Sequence, residues 1–132
     1  MAYFSSVTTP ARLTPREWPP LRLYLRDIGR QSYPVEQLVY LQAVANYSWL
    51  NWLDGQRMLM PRTLKYYTPK LPADNFIRLH RSCVVNCLFV ARLERTEAGG
   101  LVYLTTGEVL PVSRRRWTSV RRSLISANSQ LN

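Results

Sequence analysis

Residues 76–86 read FIRLHRSCVVN, and how their polar groups are assigned decides the fold. The stretch holds His80, the only histidine, and Cys83; the second cysteine, Cys87, follows at once. A metal reading fails on arithmetic. Zinc usually takes four ligands, often with a C-x2-C pair, whereas the spacing here is H-x2-C-x3-C with three soft ligands in the whole chain. On an extended segment Cys83 and Cys87 would stand roughly 13 Å apart, too far to share one ion. Catalysis has no support either. No acidic residue lies near enough in sequence to orient the imidazole against a thiol. The eight carboxylates (Glu17, Asp27, Glu36, Asp54, Asp74, Glu94, Glu97 and Glu108) fall mostly at turns or strand ends, and the five glycines form no phosphate-cradling loop. No enzyme, metal or cofactor is expected. What remains for the two cysteines is packing as small buried apolar residues, with FIRLHRS reading as an extended segment.

Outward from that stretch the chain keeps a strand-like rhythm. Leu21, Leu23 and Leu25 alternate with basic residues in LRLYLRDIG, a period of two. QLVYLQAV (37–44) and NYSWLNWL (46–53) are further strand candidates, and Asp54-Gly55 marks a hairpin turn into QRMLM. A short helix is expected over 62–71, with Thr63 as its cap and Pro69 limiting it. VVNCLFVARLERT gives one or two strands, 98–100 a turn into LVYLTT, 106–108 the next turn, and VLPV the last strand. From Ser113 the period turns helical: Trp117, Val120 and Leu124 share one face, with Ser113 as the expected N-cap. The fold class is mainly β: a compact domain of small antiparallel sheets with one short central helix and a C-terminal helix. Residues 1–20, with four prolines, read as a flexible lead-in, 21–125 as the domain and 126–132 as a flexible tail.

Charge narrows the partner. Lys+Arg number 18 against 8 Asp+Glu, a net +10, and all but Lys65 and Lys70 of the cations are arginine. Guanidinium suits planar, bidentate partners such as phosphates and guanine edges. Five arginines (114, 115, 116, 121 and 122) crowd nine residues with no acidic residue after Glu108. An anion could sit at Ser113 and the amides behind it, with Arg114 beside it. No apolar run reaches the roughly 20 residues that span a bilayer, and the N-terminus lacks a signal-peptide layout. The expectation is a reduced, cytoplasmic, basic protein with no membrane partner.

FIRLHRSxVVN, followed some thirty residues later by LPVSRR, resembles the LytTR-type DNA-binding domain of bacterial transcription regulators. VYLQAVANYSWLNWLDG and TLKYYTPKLPADNFIRLHRS resemble that family's upstream segments in the same order, so the likeness covers Leu21 to Leu124. It implies a mainly β fold whose loops, rather than a recognition helix, enter successive major grooves of double-stranded DNA. Carried over residue by residue, the first DNA-facing loop holds Asn46 and Tyr47. The second holds His80, Arg81 and Ser82, with Asn86 shaping its exit. The third holds Ser113, Arg114 and Arg115. Positions matching Arg81 and Arg114 reach bases in the family, while Arg116 and its neighbours are expected on phosphates. The resemblance also implies two copies on repeated half-sites, or a separate sensor or regulator as partner. Such domains ordinarily follow a receiver or membrane module, which the 20 or so preceding residues cannot form. The chain departs from the family in QAVA before Asn46, where acidic residues are common. Two rival readings use the same residues: an RNA-binding β module stacking bases on Tyr47, Trp49, Tyr66, Tyr67 and Tyr103, or a protein-interaction domain that keeps the fold.

Overall fold

The structure, a computed structural model, describes residues 22–25 and 31–129, with side chains left undescribed at Tyr24, Gln31 and from 126 on. The expected lead-in (1–20), Leu21 and residues 130–132 lie outside these. Strands β1 (Arg22–Leu25) and β2 (Gln31–Pro34) pair antiparallel as a small two-stranded sheet. β3 (Leu38–Val44), β4 (Tyr47–Trp52), β5 (Arg57–Met60), β6 (Phe76–His80) and β7 (Cys83–Asn86) form the central sheet in the order β5-β4-β3-β7-β6. β8 (Val90–Thr96), β9 (Gly99–Leu104) and β10 (Val109–Ser113) form a third sheet, with every pairing antiparallel. α1 (Leu64–Tyr67) is one turn long, and α2 (Trp117–Ser129) closes the described chain.

The central sheet is buried on both faces, which is why 37–44 lacks clean alternation. One core gathers Leu25, Leu38, Leu41, Leu50, Met60 and Tyr67 under β1, β2 and α1. The other gathers Val39, Tyr40, Leu79, Val85, Val102 and Trp117 under the three-stranded sheet and α2. A register shift between Leu38 and Tyr40 lets the consecutive Val39 and Tyr40 serve the same core. A second shift, between Arg78 and His80, inserts Leu79 as an extra residue on β6.

Several expectations need correction. β2, QSYP, was not anticipated; its proline is tolerated because the strand ends there, on a two-stranded edge. The central helix is four residues, not ten, and continues as a 3-10 turn over Thr68–Lys70. Thr63 sits at its N-cap without a side-chain cap hydrogen bond, so burial of Leu64 and Tyr67 holds the turn in place. α2 begins at Trp117, not at Ser113. Ser113 ends β10, and the Arg116 N–H donates to both its Oγ (3.2 Å) and its carbonyl (3.1 Å). The first helical bond, Val120 N–H to the Arg116 carbonyl, makes Arg116 the cap residue. The helix then runs to Ser129, past the expected boundary at 125. Trp117, Val120 and Leu124 are all buried, as their spacing predicts.

Gly99 and Gly100, expected within a turn at 98–100, instead open β9, and the turn falls at Glu97 and Ala98. A Cβ at Gly100 would collide with Cζ3 and Cε3 of Trp117. One at Gly99 (φ +138°) would meet the Val112 carbonyl and lie 2.6 Å from the Arg114 nitrogen. The strand-to-helix passage from Val112 to Trp117 therefore lies directly on bare backbone.

Candidate nucleic-acid interface

Hydrogen-bond register brings the turns together at one end of the central sheet. β3 and β4 close with Val44 opposite Tyr47, leaving Ala45 and Asn46 as a two-residue turn. Ala45 is the only non-glycine with positive φ among the described residues, at +54°. The left-handed region costs a non-glycine residue roughly 1–2 kcal/mol, offset here by the strand pairing on both sides. Val44 (49% exposed) and Tyr47 (48%) stand out from the turn, and Asn46 is exposed.

The β6–β7 turn lies beside it, because Cys83 pairs with Gln42 of β3 and the Ser82 carbonyl accepts the Ala43 N–H at 2.8 Å. Inside this turn Arg78, itself half-buried, donates Nε to the His80 carbonyl (3.0 Å) and Nη2 to the Arg81 carbonyl (2.6 Å). His80 Nδ1 accepts the Ser82 N–H at 3.1 Å, so the neutral ring carries its proton on Nε2. Burial lowers the His80 pKa from its ordinary 6.5, and Arg78, Arg116 and Arg81 push it further in the same direction. The ring is thereby tied to the turn backbone at Ser82. Arg81 is exposed at the tip, and Ser82 is half-buried.

The third turn, 113–116, reaches the same place from the other sheet. Arg116 acts electrostatically on both His80 and Arg78, and burial followed by Arg116 lowers the Arg78 pKa. Arg114, Arg115 and Arg116 are exposed and Ser113 is half-buried. Arg114 Nη2 donates to the Glu97 carbonyl at 2.9 Å, bracing the turn against β8–β9 while other guanidinium donors stay available. Arg121 and Arg122 lie exposed on the outer face of α2.

Asn86, expected with the DNA-facing residues, belongs elsewhere. It is fully buried at the far end of β7, opposite Phe76. Its Nδ2 donates to the Leu38 carbonyl (2.9 Å) and its Oδ1 accepts the Leu88 N–H (3.0 Å), tying β3 to the 3-10 turn at Cys87–Phe89. That is a structural amide, unable to reach a ligand. Both cysteines are buried and unbridged, and burial pushes the Cys83 thiol up to about 12, which leaves it inert at neutral pH. Among the described residues no group of three or more His, Cys, Asp or Glu could hold a metal ion, and no helix is long and apolar enough to cross a membrane. Sequence reasoning missed Arg78, whose place in the strand gave no sign that it grips two carbonyls. It also missed Gly100, whose partner Trp117 is distant in the chain.

The profile of the LytTr DNA-binding domain matches residues 30–125. The CO-responsive transcriptional regulator RcoM of Rhodospirillum rubrum is 31% identical over 86 residues, 64% of this chain and 36% of that protein. The positive alginate biosynthesis regulatory protein of Pseudomonas aeruginosa is 32% identical over 97 residues, 71% of this chain and 38% of that protein. The chain thus spans little more than a third of the length of either regulator. Among solved structures, a LytTr DNA-binding domain from a Bacillus cereus protein described as a methyl-accepting/DNA response regulator superposes with a TM-score of 0.67 at 26% identity. The superposition covers 81% of this chain and 98% of that one.

Proposed function

The chain belongs to the LytTR DNA-binding family, and we propose that it is a sequence-specific regulator that reads duplex DNA with three turns set in successive major grooves. The observation that carries this reading is the convergence of the turns at 45–46, 80–82 and 113–116 on one end of the sheet, where three arginines act on a single imidazole. A field of that sign suits a polyanion. Counterion release from the backbone supplies sequence-independent affinity, which falls steeply with salt.

Specificity rests on Arg81 and Arg114, whose guanidinium forks match O6 and N7 of guanine, and on Asn46, whose amide matches adenine. Ser82 and Ser113 shape their turns. Tyr47 offers an exposed ring beside Asn46, and Arg115 and Arg116 meet phosphates. His80 acts by fixing the backbone between Arg81 and Ser82. Two copies on repeated half-sites, or a separate regulatory protein that supplies the signal, complete the regulator in this reading.

Selection of bound sequences from random duplex DNA tests it: a defined motif is expected, and single-stranded RNA should compete poorly. Arg81→Ala and Arg114→Ala should each cost on the order of 1–3 kcal/mol of discrimination between the selected site and unrelated duplex. Arg121→Ala should weaken both duplexes alike. Equal losses for all three variants would overturn the assigned roles.

A further inference from the structure

A second concentration of positive charge lies at the opposite flank of the same sheet end. β5 finishes at Met60, opposite Ser48 of β4, so the chain leaves the sheet beside the 45–46 turn. Ser48 Oγ donates to the Arg62 carbonyl at 2.6 Å and fixes the backbone there. The Arg62 guanidinium carbon then lies 4.7 Å from the centre of the Tyr66 ring, and the Lys70 Nζ lies 4.8 Å from the same centre. Tyr66 is steadied edge-on against buried Tyr67, with ring centres 5.0 Å apart and planes at 90°.

One ring thus gathers two exposed cations. Each contact is worth on the order of 0.5–1 kcal/mol at an exposed site, enough to bias long side chains.

The strand order makes this placement useful. Along the sheet end stand, in sequence, the exit of β5, the β4–β3 turn and the β7–β6 turn, with the 113–116 turn beyond. At a strand spacing of about 4.8 Å, the four gaps from β5 to β6 span roughly 19 Å. Arg114, Arg115 and Arg116 occupy one end of that row, and Arg62 and Lys70 occupy the other. Between them the 45–46 turn is uncharged from Val44 to Tyr47. Any phosphate passing that turn takes its counter-charge from a neighbour.

We infer that Arg62 and Lys70, held by Tyr66, form a phosphodiester-binding site flanking the 45–46 turn, and that duplex DNA seated on the three turns continues across it. The inference rests on the proposed duplex reading and adds a fourth, sequence-independent contact to it.

The test compares wild type with Arg62→Gln/Lys70→Gln on the selected duplex and on an unrelated one across a salt series. Both affinities should fall by a similar factor, and the slope of log affinity against log salt should shrink by about one per removed contact. Lys70→Gln alone should give half of that shift, and it keeps the test informative if the double variant folds poorly by circular dichroism. Trimming base pairs from the flanking side should bring wild type down to the variant and leave the variant unchanged, which a site for free phosphate would not do. An unchanged slope in both variants, with Arg81→Ala still erasing sequence preference, would overturn this site and leave the duplex reading intact. Arg81→Ala without effect would instead remove the reading on which the site depends.

Discussion

The two cores on either face of the central sheet differ in what they hold in place. The first packs β1, β2 and α1 on the sheet and supports its turns only through the strands. The second packs Trp117, Val112 and Val120 against the sheet and so fixes the 113–116 turn directly, through bare backbone at Gly99 and Gly100. Stability and binding should therefore separate in the first core and fall together in the second.

Gly100→Ala probes that difference most severely. Its added methyl meets a buried indole on one side and the Glu94 carbonyl at 2.9 Å on the other, so nothing flexible can yield. The expected loss is about 3 kcal/mol or more, with duplex affinity abolished in whatever fraction stays folded. Thermal melts and binding titrations on one preparation check both. In the first core, Leu25→Ala (1% exposed) should cost about 2–4 kcal/mol while affinity per folded molecule stays at the wild-type value. A proportionate fall in affinity there would erase the distinction between the cores.

Arg78→Ala acts within the interface itself. It removes charge-assisted donors from two carbonyls of the 80–82 turn, and roughly a tenfold loss of specific affinity is expected with a stability change near 1 kcal/mol. Arg78→Lys, able to reach one carbonyl at a time, should recover part of it.

The smallest effect concerns His80. Its folded pKa lies below its unfolded value, so the neutral ring contributes stability that is fully present above pH ~6.5 and is lost as pH falls below that point. His80→Asn, which keeps an acceptor for the Ser82 N–H, should flatten that part of the stability profile between pH 7 and 5. Identical profiles would remove His80 as the source of that pH dependence.

The sequence showed what depends on local period and residue type. The inward Leu23 and Leu25 and the buried face of Trp117, Val120 and Leu124 were legible, because burial and spacing are written locally. The register shifts at 38–40 and 78–80 were not, since a bulge is set by the partner strand. Ser113 looked like a helix cap because serine caps well, yet the chain makes a separate turn before α2 begins. Asn86 looked like a loop residue because its acceptor, the Leu38 carbonyl, lies 48 positions away. The loops expected to face DNA came from the family resemblance; local period alone read these residues as strand or helix. The adjacency of the 45–46 and 80–82 turns came only from pairing between β3 and β7.

The hydrogen bond from the Ala43 N–H to the Ser82 carbonyl has a calorimetric consequence. It ties the hairpin end at 45–46 to the one at 80–82, so the two meet a ligand as a single stiff edge. Little chain ordering then remains to be done at the moment of association. Binding should show a small negative heat-capacity change, well short of the large values that accompany coupled folding, and its entropy should be dominated by ions leaving the duplex.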